Sequence, residues 1–325
     1  MGSGSAVPHQ RITNEQLASR VDTSDEWIST RTGIRERRIV SELESFSQLC
    51  KKAGSLAIEM AGWDPESIDL LILATSTPDD LFGTATKIQA GVGANKAVAF
   101  DLTAACSGFL FALVTASQYL RSGSMKRALV IGADQLSSWV NWDDRKSCVL
   151  FGDGAGAVAI EASDVQDDLL GFKFRSDGQR GDCLTLPQIS DFQALLQETS
   201  YQKGGFLPIQ MNGQEVYKFA VREVPLILGN LMQELEINSE SIDWLLLHQA
   251  NKRIIDAVAD RFKIPYSKVL TNLSNYGNTS AATIPLMLDE AVRDERIQKG
   301  HLIATSGFGA GLSWGAAFIK WHGPI

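Results

Sequence analysis

Three side chains suited to thioester chemistry each follow a short apolar run. Cys106 comes after Phe100-Asp101-Leu102-Thr103-Ala104-Ala105, and His248 follows Trp244 to Leu247. Asn278 lies in the turn-forming stretch Asn275-Tyr276-Gly277-Asn278-Thr279-Ser280. A thiolate can accept an acyl group. An imidazole Nε2–H and a carboxamide NH₂ can donate to a developing enolate oxygen. Phe109, Leu110, Leu113, Val114, Tyr119 and Leu120 recur at helical spacing just after Cys106. The thiol therefore falls at a strand-to-helix turn, where the helix N-terminus favours thiolate. Each residue also has a structural reading. Cys106 suits a small buried core position, His248 a satisfied core histidine, and Asn278 a helix cap. All three at equivalent strand ends favour a shared site, because ligands of open α/β sheets gather at the carboxyl ends of strands.

The elements that must position them occur twice. An amphipathic helical stretch, roughly Phe46 to Met60, precedes Glu66-Ser67-Ile68-Asp69 and the apolar run Leu70 to Ala74. A second, Val216 to Leu235, precedes Glu240-Ser241-Ile242-Asp243 and Trp244 to Leu247. Phe100-Asp101-Leu102 leads to Cys106-Ser107 and a helix, as Thr271-Asn272-Leu273 leads to Asn278-Thr279-Ser280 and a helix. Lys126 to Gly132 and His301 to Thr305 read as strands. The glycine-rich turns Gly152-Asp153-Gly154-Ala155-Gly156 and Gly307-Phe308-Gly309-Ala310-Gly311 follow them. Each leads into a small apolar strand, Ala157 to Ile160 and Gly315 to Ile319. Helices alternating with buried strands predict layered α/β architecture in two similar halves, residues 1–165 and 166–325. The stretch from about Asp164 to Gln210 lacks a counterpart and reads as an inserted flap, near residues 166–210.

Composition narrows the function. The chain has 325 residues, is 44% hydrophobic and carries a net charge of -8, which suits a soluble enzyme and argues against nucleic-acid binding as its main role. No apolar run is long enough to span a membrane, and no basic-then-apolar leader opens the chain. Ala6 stands where a myristoylation signal needs Ser or Thr. Cys50, Cys106, Cys148 and Cys183 form no CxxC pair, and the four histidines are scattered. That argues for a reducing cytoplasm and against a metal centre. The Gly152–Gly156 run lacks the Lys-Ser/Thr of a P-loop and reads as backbone crowding at a sheet centre.

Five motifs in order give a resemblance over nearly the whole chain. They are Asp25-Glu26-Trp27-Ile28-Ser29-Thr30-Arg31-Thr32-Gly33-Ile34-Arg35-Glu36-Arg37, Ala104-Ala105-Cys106-Ser107-Gly108, Phe151-Gly152-Asp153-Gly154-Ala155-Gly156, His248-Gln249-Ala250-Asn251 and Asn275-Tyr276-Gly277-Asn278-Thr279-Ser280. The chain resembles the β-ketoacyl-acyl carrier protein synthases III, the condensing enzymes that start type II fatty-acid synthesis. The resemblance implies a thiolase-like fold of two duplicated halves in five α-β-α-β-α layers. It also implies a ping-pong mechanism with no cofactor. Cys106 takes acetyl from acetyl-CoA, and malonyl-acyl carrier protein then loses CO₂. His248 and Asn278 stabilise the enolate, whose carbon attacks the acyl thioester.

The same resemblance assigns binding roles. The backbone N–H groups of Cys106 and Ala310 would form the oxyanion hole. Trp27 would stack the CoA adenine with Arg145 on its other face, and Arg31 would meet phosphate. Gln214 and Ala250 would also bind CoA, Gln214 replacing an Asn that lines the pantetheine tunnel in some members. Phe82 would cross a homodimer interface to close the partner's acyl pocket. Lys218, Arg253 and Arg261 would dock the acidic carrier protein, with Asp260 standing where some members are basic. Gly2-Ser3-Gly4-Ser5 looks like the end of the family's first strand, with part of that strand missing. The rival readings are a same-fold acyltransferase with another primer or acceptor, a Cys-His-Asn hydrolase, and a non-catalytic binder of CoA or carrier protein.

Overall fold

The computed structural model describes residues 1–323. One five-stranded sheet comprises β1 (Gly2–Ala6), β2 (Leu70–Ala74), β3 (Val98–Leu102), β4 (Arg127–Gln135) and β5 (Asp153–Glu161), in the order β1-β5-β4-β2-β3. The other comprises β6 (Leu169–Ser176), β7 (Trp244–Leu247), β8 (Val269–Leu270), β9 (Leu302–Gly309) and β10 (Ser313–Lys320), in the order β6-β10-β9-β7-β8. The two orders are the same, and so are the directions. In each sheet the first strand and the two long central ones pair antiparallel, and the remaining pairs are parallel. The duplication read from the sequence is thus a duplication of topology. Its four-residue signature has a job. The Asp69 carboxylate accepts the backbone N–H groups of Lys126 and Arg127 at the start of β4, and Asp243 accepts that of Leu302 at the start of β9.

Helices α1 (Asp25–Thr32), α2 (Phe46–Ala61), α3 (Gly108–Arg121), α4 (Gly213–Glu234), α5 (Lys252–Phe262) and α6 (Thr283–Arg293) complete the frame. Helix α2 begins at a Ser45/Gln48 capping box and ends at Gly62 in the left-handed region, and its apolar face covers the outside of the first sheet. Helices α4 and α5 cover the outside of the second sheet. Helices α3 and α6 lie between the sheets, so most of their residues are buried, whereas α5 buries one apolar face. The five layers follow from these three clusters. Leu110, fully buried on α3, is a position where truncation to Ala costs roughly 2–5 kcal/mol.

Two expectations need correction. The glycine-rich runs are strand more than turn, since residues 153–156 open β5 and 307–309 end β9. Crowding is the reason: a Cβ on Gly156 would stand 2.5 Å from the Leu286 nitrogen of α6. The supposed insertion also begins later. Residues 169–176 form β6, an edge strand equivalent to β1, whose half-exposed polar positions hide it from a hydrophobicity reading. What has no counterpart is the 3-10 turn Gly178–Cys183, the ribbon of Leu184–Thr185 with Gln210–Met211, and the hairpin Phe192–Leu196 with Thr199–Gln202. Residues Gly2–Ala6 pair with Ala155–Ala159. No helix among the described residues is long and apolar enough to cross a membrane.

Candidate active site

The two central helices start alike. Cys106 sits in the 3-10 turn Ala105–Ser107 ahead of α3, and Ser280 opens the 3-10 turn Ser280–Ala282 ahead of α6. Ala105 has φ 47° and Ser280 φ 53°, a left-handed conformation that non-glycine residues seldom adopt. Such strain clusters at functional sites. The pseudo-symmetric turns face each other, and the Ser280 hydroxyl donates to Cys106 Sγ at 3.2 Å.

Ser280 gathers the other two residues as well. Its N–H donates to Asn278 Oδ1 at 2.8 Å, which fixes the amide and leaves the NH₂ as the available donor. Thr283 Oγ1 lies 3.0 Å from the Ser280 carbonyl and 2.7 Å from His248 Nδ1, so the one Thr283 hydrogen can serve either acceptor. Backbone bonds hold the flanks. The His248 N–H reaches the Ser306 carbonyl of β9, and the Asn278 N–H reaches the Leu150 carbonyl. Phe308 meets the His248 ring edge-on, with centroids 5.2 Å apart. Cys106, His248 and Asn278 are all buried.

Burial sets the charges. It pushes the Cys106 thiol up to about 12, with the Ser280 hydrogen bond opposing the shift. It pushes His248 down to about 3. Burial therefore favours a protonated thiol and a neutral imidazole, against the thiolate preference expected from the helix N-terminus. Gly309, at the end of β9, brings the strand onto the thiol turn: a Cβ there would stand 2.6 Å from the Cys106 nitrogen. Ala310 is the next residue, so its backbone borders the same turn.

Similarity to known proteins accords with this geometry. The 3-oxoacyl-[acyl-carrier-protein] synthase III model matches residues 100–178, and its C-terminal counterpart matches residues 232–321. A β-ketoacyl-[acyl-carrier-protein] synthase III of Prochlorococcus marinus strain SARG is 68% identical over 325 residues, covering 100% of this chain and 96% of that protein. The chain belongs to this family. Among solved structures, the family's enzyme from Thermus thermophilus superposes with TM-score 0.91 at 38% identity, covering 100% and 99% of the two chains. The enzyme from Aquifex aeolicus VF5 gives TM-score 0.89 at 40% identity, covering 98% of each. These neighbours make the fold thiolase-like.

The remaining positions lie on the surface. Arg31 and Arg145 both stack on Trp27, their guanidinium carbons 4.9 and 5.3 Å from the ring centroid. Arg145 also donates to the Asp22 carbonyl. A ring inserted between Trp27 and Arg145 needs two stacking distances, about 7 Å, so Arg145 must swing aside to admit one. Gln214 and Lys218 are exposed on α4, and Lys218 is held by Glu215 at 2.8 Å. Arg253 lies over Tyr217, and Arg261 is exposed on α5. Asp260 takes the Tyr266 hydroxyl. Ala250 is half-buried beside His248. Phe82 is fully exposed and Leu81 nearly so. Sequence reasoning missed three residues of this site: Ser280, present only within a motif, Thr283, and Asp134 on β4, whose Oδ2 accepts the Ala281 N–H at 3.1 Å. Their signal is a hydroxyl or carboxylate at a position that topology buries, and spacing alone does not reveal it.

Proposed function

We propose that the chain joins acetyl-CoA to malonyl-acyl carrier protein in two half-reactions. Family membership makes it a condensing acyltransferase that initiates fatty-acid synthesis. The acetyl donor, the homodimer and the residue roles are our reading. The observation that carries it is Ser280, whose hydroxyl, N–H and carbonyl link Cys106, Asn278 and, through Thr283, His248.

In the first half-reaction the Cys106 sulfur attacks the acetyl thioester carbonyl, a C–S bond forms, and CoA leaves as its thiol. The Cys106 and Ala310 N–H groups hold the oxyanion. In the second, the malonyl C–C bond to the carboxylate breaks and CO₂ departs. The electron pair becomes an enolate held by His248 Nε2–H and the Asn278 NH₂. Its carbon attacks the acetyl-Cys106 carbonyl, and the thiolate leaves with acetoacetyl-acyl carrier protein as product.

Trp27 and Arg145 stack the adenine in this reading, Arg31 takes phosphate, and Gln214 and Ala250 line the pantetheine path. Lys218, Arg253 and Arg261 form the carrier dock. Phe82 closes the partner's acyl pocket in a homodimer. Its full exposure, and the open edge of β3, support that role. The test is intact-protein mass after acetyl-CoA and then malonyl-acyl carrier protein. An acetyl increase on the Cys106 peptide, discharged as acetoacetyl-carrier, is expected. An adduct only with longer or branched acyl-CoA would keep the mechanism and change the primer.

A further inference from the structure

The two halves correspond residue by residue at the site. Leu70 pairs with Ala128 and Trp244 with Ile303, each one residue past the Asp of the repeated signature. Asp134 on β4 therefore corresponds to Gly309 on β9. The left-handed Ala105 and Ser280 correspond likewise, so Ala281 stands in the second half where Cys106 stands in the first. Each strand end meets the other half's turn. Gly309 abuts the Cys106 nitrogen, and Asp134 bonds the Ala281 nitrogen. The difference is the side chain. Gly309 sends none to the Cys106 N–H, whereas the Asp134 carboxylate fills the matching place, its Oδ2 accepting the Ala281 N–H at 3.1 Å.

Asp134 is fully buried. Its Oδ1 accepts the Ser76 N–H at 2.8 Å and the Thr75 and Thr77 hydroxyls at 3.1 Å. Burial raises its pKa, but each of these partners donates, which fits an ionised carboxylate. The group thus ties the ends of β2 and β4 in the first half to the turn ahead of α6 in the second.

We propose that Asp134 is a positioning residue for Cys106: its carboxylate stands beside Ala281 as a reacting oxygen stands beside Cys106, and by holding the Ala281 N–H it keeps the left-handed Ser280 turn aimed at the thiol. This rests on the reading of Cys106 as the acyl acceptor. Left-handed backbone at a serine persists only where its surroundings over-determine it. The bond from Asp134 to the next residue is such a restraint. It holds the Ser280 hydroxyl as a donor 3.2 Å from Cys106 Sγ. A donor to sulfur stabilises the thiolate, the form that attacks an acyl thioester. The Asp134 charge also repels that thiolate, so its two effects on Cys106 have opposite signs.

One substitution separates them. Asp134→Asn keeps an acceptor for the three donors at Oδ1 and turns an NH₂ toward the Ala281 N–H. Repulsion alone would make acetylation faster in this variant, and lost positioning would make it slower. In the intact protein we expect single-turnover acetylation of Cys106 by acetyl-CoA to fall about tenfold or more, the worth of a hydrogen bond to a charged group, with acetyl-CoA affinity unchanged. Ser280→Ala should lose a similar factor. Adding Asp134→Asn to Ser280→Ala should cost less than about twofold more, because both act through one hydroxyl. A faster or unchanged Asp134→Asn, or losses that multiply in the double variant, would overturn the proposal. Should Asp134→Asn fail to fold, Thr75→Val removes one donor and leaves the charge. Slower acetylation that disappears in the Ser280→Ala background is then expected, and an unchanged rate would overturn the proposal. Native protein that takes no acetyl group would defeat the functional reading instead, and the same variants compared by iodoacetamide alkylation of Cys106 would still judge the role of Asp134.

Discussion

His248 Nδ1 lies 2.7 Å from the Thr283 hydroxyl, and that hydroxyl has a second acceptor in the Ser280 carbonyl at 3.0 Å. One hydrogen serves two acceptors. Donated to Nδ1, it leaves the ring proton on Nε2, the form that can donate to an enolate oxygen. Donated to Ser280, it draws the ring proton to Nδ1 and removes that donor. Thr283→Val deletes the choice. We expect malonyl decarboxylation to slow about tenfold, the value of one hydrogen bond, with acetylation of Cys106 close to native. Thr283→Ser should restore the rate, and equal loss in both half-reactions would contradict the assignment.

The His248 ring stays neutral far into acid, because burial pushes it from 6.5 to about 3. Decarboxylation should therefore show no limb from this residue between pH 5 and 8. Stability follows with a definite sign. Below pH 6.5 the unfolded chain binds a proton that the folded chain refuses. The residue thus weakens the fold progressively as pH falls from 6.5 toward 3, by at most about 1.4 kcal/mol per pH unit. Urea unfolding at stepped pH should give a shallower acid loss in His248→Asn than in native protein.

Asn278 offers a cleaner chemical swap. Its Oδ1 already accepts the Ser280 N–H, and Asp at this position keeps that bond while replacing the free NH₂ with oxygen. The enolate then meets a repelling atom in place of a donor. Asn278→Asp should retain acetylation and lose about 10²–10³ in decarboxylation, the cost of one oxyanion donor. Following release of labelled CO₂ separates the two steps.

Gly309 tests the close approach of β9 to the thiol turn. An added Cβ would stand 2.6 Å from the Cys106 nitrogen, so backbone must shift. Displacing a reacting group by about 1 Å costs around 10² in rate. Gly309→Ala should therefore fold, bind acetyl-CoA, and acetylate Cys106 about a hundred times more slowly, read by stopped-flow or quenched mass analysis.

The sequence revealed long apolar elements well and edge elements poorly. Leu70 to Ala74 is buried on both faces, so its run of apolar residues marks a strand whatever surrounds it. Leu169 to Ser176 carries Lys173 and Arg175 on a half-exposed edge and was read as part of a flap. Cys106, His248 and Asn278 drew notice because each follows a strand-like run and their types together suit thioester chemistry. Their meeting at Ser280 was not legible, because it depends on the left-handed backbone at that residue. Ala105 adopts the same conformation in the first half without any glycine to announce it. The burial of the thiol was not legible for a related reason: it is a property of both halves packed together.

Assembly gives the last expectation. β3 ends the first sheet with an open edge, Val98 half-exposed on it, and Phe82 projects fully into solvent. A second copy pairing edge to edge would cover β3, as sheet edges invite, and would carry each Phe82 toward the partner. Val98→Lys places a charge where the edges would meet and should shift sedimentation from dimer toward monomer. Phe82→Ala should leave the dimer intact and broaden the acyl-CoA chain lengths that acylate Cys106. A native protein that sediments as a monomer, or a Phe82→Ala enzyme with unchanged chain preference, would remove Phe82 from the acyl pocket.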